Sequence, residues 1–197
     1  LGLSLSRQGK TDEARKAHER AAKLGEKLLD GIVEFPQPDG LGAKIKSYKP
    51  LFEDAADSAD KYLELSSKPS KSKVQEWKDR AAVLRDYVQL FETDNNGNYL
   101  LKVYSPRDVT TKARIISRTE PEYTQEAREN KVSGTIVLRG IFAFDGKVRG
   151  LRIVSGLPYG LNERALAVAR KIKFVPATKD GHPVSQYIQI EYNFYLF

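Results

Sequence analysis

The sequence contains no cysteine and no methionine, one tryptophan and two histidines among its 197 residues. Without cysteine the chain can form no disulfide, no zinc–thiolate site and no thiol nucleophile. It also has no run of about 18 apolar residues, so we expect no segment that spans a membrane. Because no initiator methionine is present and the opening residues LGLSLSRQG resemble the interior of a helix, we expect a segment, with any membrane anchor, upstream of this chain.

Positive charge is concentrated in the second half of the chain. The net charge of +7 comes from 33 Lys/Arg and 26 Asp/Glu. Residues 1–106 hold 18 and 17 of these, a net charge of +1, and residues 107–197 hold 15 and 9, a net charge of +6. This basic character fits either a solubilising surface or an acidic or polyanionic partner.

Residues 1–92 show the apolar spacing of amphipathic helices. Thr11 is a candidate helix cap, and a small-residue stripe follows at Ala14, Ala17, Ala21 and Leu24. A second apolar face runs through residues 50–66, and a third through 72–92, where Trp77 is expected in the core. Two prolines and two glycines predict a loop over residues 34–42.

Residues 113–197 change to the two-residue period of strands, after a polar stretch at 93–112 that we interpret as a linker, in which Tyr99–Tyr104 is a candidate short strand. Strands are predicted at 134–144 and 147–155, joined by a turn at Asp145-Gly146, and from Gln186 to the end. Helices are predicted at 123–130 and 161–172. The predicted fold class is α+β: helical hairpins at 1–92, then a three-stranded antiparallel sheet with two helices on one face.

The last strand alternates between apolar and polar side chains. Ile188, Ile190, Tyr192, Phe194 and Leu196 are expected to face the core, and Gln189, Glu191, Asn193 and Tyr195 the opposite side. A three-stranded sheet has two edges, and this strand is free to be one of them.

The N-terminal residues resemble a tetratricopeptide repeat. Leu1-Gly2, Leu5, Gly9, Ala14 and Ala21 stand at the positions of that pattern, with His18 where an aromatic residue is usual. The resemblance covers about 24 residues and implies further repeats upstream.

Residues 112–197 resemble the TonB C-terminal domain family. The motifs that carry the resemblance are Pro121 and Tyr123, Gly134, Asp145-Gly146, Ser155-Gly156, Leu161 and Ala165, FVPA at 174–177 and GHPV at 181–184. Thr124 stands where the family usually has a second proline, and it is able to cap the helix that follows.

The resemblance implies a periplasmic protein of Gram-negative bacteria that binds the N-terminal segment of an outer-membrane TonB-dependent receptor by adding it as a strand. Inner-membrane motor proteins would supply energy through an upstream anchor. The expected peptide-binding edge is Tyr187, Ile188, Gln189, Ile190, Glu191, Tyr192, Asn193, Phe194 and Tyr195. The open edge also permits a homodimer. The alternative is a scaffold or adaptor that binds another peptide or envelope partner without energy transduction.

The residue inventory does not predict an enzyme. His18 and His182 lie in different predicted domains, and no zinc-protease, hydrolase or phosphate-loop motif occurs. We therefore expect no catalytic residue, no cofactor and no metal, and interpret His18 as a packing residue. Nucleic-acid binding is not expected, since the aromatic residues alternate into the core rather than lying among Lys and Arg on one face.

Overall fold

The computed structural model describes residues 10–34, 48–93 and 99–195, with five helices and nine strands in those ranges. The chain divides into two compact units between Leu101 and Lys102. Helices make up the first unit apart from one small hairpin, and the second contains the main sheet, which confirms the predicted α+β class. Residues 1–9 and most of the predicted 34–42 loop lie outside the described residues.

The N-terminal unit contains three helices and a hairpin: α1 Thr11–Glu34, α2 Tyr48–Glu64, α3 Lys71–Val88, β1 Phe91–Thr93 and β2 Tyr99–Leu101. Ser70 begins α3 by accepting a hydrogen bond from the Lys73 backbone amide at 3.2 Å. Helix α2 packs against both α1 and α3. The tetratricopeptide resemblance stays a prediction, because part of its pattern falls on residues 1–9.

An aromatic pair lies in the core of this unit. Trp77 of α3 is fully buried, as predicted, and its ring lies 3.9 Å from that of Tyr62 in α2 at an angle of 23°. His18 of α1 is 7% exposed, and its Nδ1 lies 3.3 Å from the Ser58 hydroxyl. This placement agrees with a packing role for His18.

The small-residue stripe predicted on α1 is partly wrong. Ala14 and Ala17 are buried, but Ala21 is exposed and the Leu24 side chain is 58% exposed. The buried line follows spacings of four and three residues, through Ala14, His18, Ala22, Gly25 and Leu29. A side chain at Gly25 would overlap the Cβ of Ala55, so the absence of one lets α1 and α2 approach closely.

The C-terminal unit contains seven strands and two helices, in chain order β3 Val103–Tyr104, β4 Arg114–Ser117, α4 Gln125–Glu129, β5 Gly134–Phe142, β6 Val148–Ser155, α5 Leu161–Ala169, β7 Lys173–Val175, β8 Ala177–Lys179 and β9 His182–Phe194. The main sheet has the strand order β3-β9-β5-β6. Strands β6, β5 and β9 pair antiparallel, as predicted. The predicted three-stranded sheet is therefore present, with four additional short strands. The candidate strand Tyr99–Tyr104 includes β3, whereas the sequence did not indicate β4, β7 or β8.

These four additional strands form three pairings. Strand β3 pairs in parallel with β9 at Ser185 and Gln186. Strand β8 pairs antiparallel with the first residues of β9. Strands β4 and β7 form a separate antiparallel ribbon, a two-stranded sheet of their own.

Both helices contribute buried residues to the core that lies on one face of the sheet. The buried residues of this core are Ala127, Leu161, Ala165, Leu166 and Ala169 from the helices, and Ile136, Leu138, Ile190, Tyr192 and Phe194 from β5 and β9. Thr124 caps α4, as predicted, because its Oγ1 accepts a hydrogen bond from the Ala127 amide at 3.1 Å.

The two hairpin turns of this unit have different backbone conformations. Only Gly146 has positive φ at the β5–β6 connection, where the Ala143 amide donates to the Lys147 carbonyl. The turn Asp180-Gly181 before β9 has positive φ at both residues, 52° and 81°, as a two-residue hairpin requires. Strand β9 consequently begins at His182, directly after this turn and four residues before the predicted start at Gln186.

The stretch at 93–112, interpreted as a linker, also contains ordered structure. Thr110 and Thr111 donate backbone hydrogen bonds to the Thr178 carbonyl at 2.8 and 3.0 Å, and the Thr178 amide donates to the Thr111 carbonyl at 2.9 Å. The Lys179 ammonium donates to the Asp108 carbonyl at 3.0 Å. Residues 108–111 are thus hydrogen-bonded to β8 within the C-terminal unit.

Candidate peptide-binding edge

Strand β9 has one fully paired side and one side that is mostly open. On the first side, residues 186–194 pair with β5 in continuous register, from Gln186 opposite Phe142 to Phe194 opposite Gly134. On the second side, β3 pairs only with Ser185 and Gln186. Among the described residues no strand pairs with the second side from Tyr187 to Phe194, which we call the open side of β9.

The predicted site residues lie on this strand, with Tyr195 immediately after its last residue. Ile190, Tyr192 and Phe194 are buried, whereas the exposed positions are Gln189, Glu191, Asn193 and Tyr195. Tyr187 and Ile188 are half-buried. The alternation from Gln189 to Tyr195 is therefore the one that the sequence predicts.

The exposed side chains on β9 bond to one another and to β5. The Thr135 hydroxyl and the Asn193 side-chain oxygen lie 2.8 Å apart. The Gln189 amide donates to the Glu191 carboxylate at 2.9 Å. The exposed side chains are thus already bonded within the domain. The feature that distinguishes β9 as a candidate binding site is the backbone on its open side.

A single hydrogen bond shows which backbone groups point to the open side. The Arg118 guanidinium donates from Nη2 to the backbone carbonyl of Glu191 at 3.2 Å. Because one residue of an antiparallel strand directs its N–H and C=O to the same neighbour, alternate residues serve opposite sides. Gln189, Glu191 and Asn193 thus direct their backbone groups to the open side, as does Tyr187 at its start, a distinction that the sequence left undecided.

Arg118 is held in place by three groups. Its Nε and Nη2 donate to the Glu120 carboxylate at 2.8 and 2.6 Å, and its guanidinium carbon lies 5.0 Å from the centre of the Tyr192 ring. The Tyr192 hydroxyl is buried and makes no hydrogen bond with the described residues. Burial raises the pKa of Tyr192, and the Arg118 charge opposes that shift.

A second tyrosine at the start of the open side is also shielded from water. Burial raises the pKa of Tyr187, and the nearby Arg152 charge acts in the opposite direction. Burial in turn lowers the pKa of the Arg152 guanidinium. Both tyrosines are therefore neutral at physiological pH and serve as packing groups rather than acids or bases.

The segment that carries Arg118 runs alongside β9. At its other end, the Ala113 backbone amide donates to the Gln186 side-chain oxygen at 2.9 Å. The two contacts therefore place the two ends of residues 113–118 next to Gln186 and Glu191 of β9. Within this segment β4 forms its backbone ladder with β7 and not with β9. Sequence reasoning missed Arg118, because nothing distinguishes it from the other arginines of this basic half.

The described residues contain no group of three or more His, Asp or Glu side chains that could hold a metal ion. None of the described helices has the length and apolar character needed to cross a membrane.

Comparisons with known proteins identify the C-terminal unit. Residues 119–196 match the model of the family described as "Gram-negative bacterial TonB protein C-terminal". Among solved structures, the chain is similar to the solution NMR structure of the Pseudomonas aeruginosa TonB C-terminal domain, with 15% identity and a TM-score of 0.35 over 46% of this chain and 93% of that one. No curated protein matches this sequence.

The family match confirms the resemblance drawn from the sequence motifs and places the domain in a transport-related, non-enzymatic family. Residues 119–196 of this chain therefore form a TonB C-terminal domain and belong to the TonB C-terminal family.

Proposed function

We propose that this domain binds the N-terminal segment of an outer-membrane TonB-dependent receptor in the periplasm, by adding that segment as a strand to the open side of β9. In this role the protein couples inner-membrane energy to outer-membrane transport, with motor proteins acting through an upstream anchor. The observation that carries the proposal is the open side from Tyr187 to Phe194 in a domain of the TonB C-terminal family. Strand addition requires such an unpaired edge.

The backbone groups on the open side determine how strong this binding can be. Gln189, Glu191 and Asn193 each present one donor and one acceptor there, as the Arg118 contact indicates. At about 1 kcal/mol for each hydrogen bond, these groups contribute roughly 6 kcal/mol before the cost of ordering the peptide. We therefore expect weak, reversible binding unless side chains add to it.

Proline substitution at two neighbouring positions tests the proposal. Proline removes a backbone donor, so Gln189→Pro removes one from the open side and Ile190→Pro removes one from the β5 ladder. We expect Gln189→Pro to fold and to bind receptor peptides more weakly, and Ile190→Pro to unfold the domain. The measurements are NMR spectra for the fold and titration with synthetic peptides copied from N-terminal segments of outer-membrane receptors.

A scrambled peptide of the same composition serves as the control for each titration. If Gln189→Pro folds and binds the receptor peptides as tightly as the parent protein, the open side of β9 is not the binding edge.

A second candidate function rests on the helical unit. Its three described helices enclose their own aromatic core around Tyr62 and Trp77, which suits a scaffold or adaptor. Such a protein would bind a peptide or envelope partner through the same edge without transmitting energy. Deleting the gene separates the two candidates: energy coupling predicts loss of receptor-mediated uptake that depends on the proton gradient, and an adaptor role predicts that this uptake continues.

A further inference from the structure

We propose that Arg118 is a latch on the open side of β9, which an added strand has to displace. The inference rests on the proposed function, since it concerns which group occupies the same edge before a partner arrives. It starts from one contact: the Arg118 guanidinium already occupies the Glu191 carbonyl that an incoming strand would use.

The position of this contact makes it a competitor for strand addition. Glu191 lies between Gln189 and Asn193, whose backbone groups also face the open side, so its carbonyl is an acceptor in the interior of that side. A strand paired along this side places a backbone donor where the Arg118 Nη2 now lies. The two donors cannot occupy that position together.

The surroundings of Arg118 hold it at the edge in the absence of a partner. Glu120 accepts two hydrogen bonds from the guanidinium, and the Tyr192 ring lies beneath it at 5.0 Å. The Ala113–Gln186 hydrogen bond fixes the start of the same segment beside β9. The guanidinium is thus already positioned when it bonds to the carbonyl.

The same contacts are weak enough to be released. The Arg118 and Glu120 side chains are 35% and 63% exposed, and exposed ion pairs contribute little because water and salt screen them. The 3.2 Å bond to Glu191 lies at the long end of the range for N–H···O hydrogen bonds. A charged side chain at a strand edge also disfavours pairing between two copies of the protein.

A matched pair of substitutions in the full chain tests the latch. Arg118→Met removes the guanidinium donors and keeps an unbranched side chain over Tyr192. Arg114→Met is the control: Arg114 lies four residues earlier, its exposed side chain makes no hydrogen bond or ion pair with the described residues, and its replacement changes the net charge equally. The probes are synthetic peptides copied from N-terminal segments of outer-membrane receptors.

The latch predicts that Arg118→Met binds these peptides about three- to tenfold more tightly than Arg114→Met, as expected when one modest hydrogen bond no longer has to be broken. Glu120→Gln should shift affinity in the same direction by a smaller factor. The 13C chemical shift of the Glu191 carbonyl should change in Arg118→Met and not in Arg114→Met, which reports the contact without any peptide.

The outcomes separate the latch from the proposed function. Equal binding by the two methionine variants, or weaker binding by Arg118→Met, overturns the latch and leaves the binding edge intact. If Arg118→Met binds the peptides and neither the parent protein nor Arg114→Met does, the latch is strongly supported. If neither the parent nor any variant binds the receptor peptides, the proposed function and the latch both fail.

Discussion

Phe142 and Phe174 stack face to face in the C-terminal domain, with ring centres 3.9 Å apart and an angle of 9° between the planes. Phe142 belongs to the main sheet and Phe174 to the β4–β7 ribbon, so this pair packs the ribbon against the sheet. The sequence predicts a core position for Phe174 and for Leu166, and both are buried, Phe174 with 6% exposure. Aromatic pairs of this kind stabilise beyond the area that they bury.

We therefore expect Phe174→Ala to lower the free energy of unfolding of the domain by about 3–5 kcal/mol. Urea unfolding of the full chain, followed through NMR signals of residues 134–142, measures the change. Val175→Ala is the control, because Val175 is the next residue and its side chain is 42% exposed. A loss below about 1 kcal/mol for Phe174→Ala would contradict a buried, stacked ring.

We expect the two units to fold independently. The charge asymmetry and the change of sequence period suggest it, and the division between Leu101 and Lys102 gives the boundary to test. Residues 102–197 expressed alone should show dispersed NMR signals and one cooperative thermal transition. A chain without either property would show that the helical unit is needed for folding.

Thr124 should contribute to stability through its hydroxyl. The hydroxyl accepts a hydrogen bond from the Ala127 amide and donates to the Tyr159 carbonyl at 2.6 Å. Thr124→Ala should cost about 1 kcal/mol, typical of a lost helix cap, and Thr124→Ser should cost much less. Equal losses in the two variants, measured by urea unfolding, would mean that the methyl group and not the cap matters.

His18 should make the helical unit less stable in mild acid. Burial lowers the pKa of His18, and the nearby Lys61 charge lowers it further. The unfolded chain therefore binds more protons than the folded one at pH values between the lowered folded pKa and the unfolded value of about 6.5, so stability falls as pH falls through that window.

The measurement is urea unfolding from pH 5 to 8, followed by fluorescence of Trp77, the single tryptophan. His18→Gln should flatten the pH dependence. His182→Gln is the control, because His182 is exposed and lies in the C-terminal unit. An unchanged slope in His18→Gln would assign the pH dependence to other groups.

The sequence predicted those features that local physics determines. Alternating side chains indicated β5 and β9, and the threonine before α4 indicated its cap, because each signal lies within a few residues. The prediction of which α1 residues are buried was partly wrong, because alanine tolerates both burial and exposure. The close approach of α2 at Gly25 determines which face of α1 turns inward.

Non-local pairings were beyond sequence reasoning. Strand β3 has two residues and pairs with Ser185 and Gln186, more than 80 positions away, so it has no period of its own to detect. Strand β4 carries the exposed residues Ile115 and Ile116, which do not alternate with polar ones. Arg118 acquires its role only when the fold brings it next to Glu191.

The place of β9 in the order of the chain has a consequence for biosynthesis. Strand β9 follows β3, β5 and β6 along the chain, and its residues 186–194 pair with β5. Until residues 182–194 emerge, Ile136 and Leu138 of β5 lack the packing of Ile190 and Tyr192. The nascent domain would then remain unfolded and available to chaperones, because domains fold as units. A ribosome stalled before residue 182 would therefore display β5 without the strand that pairs along its whole length.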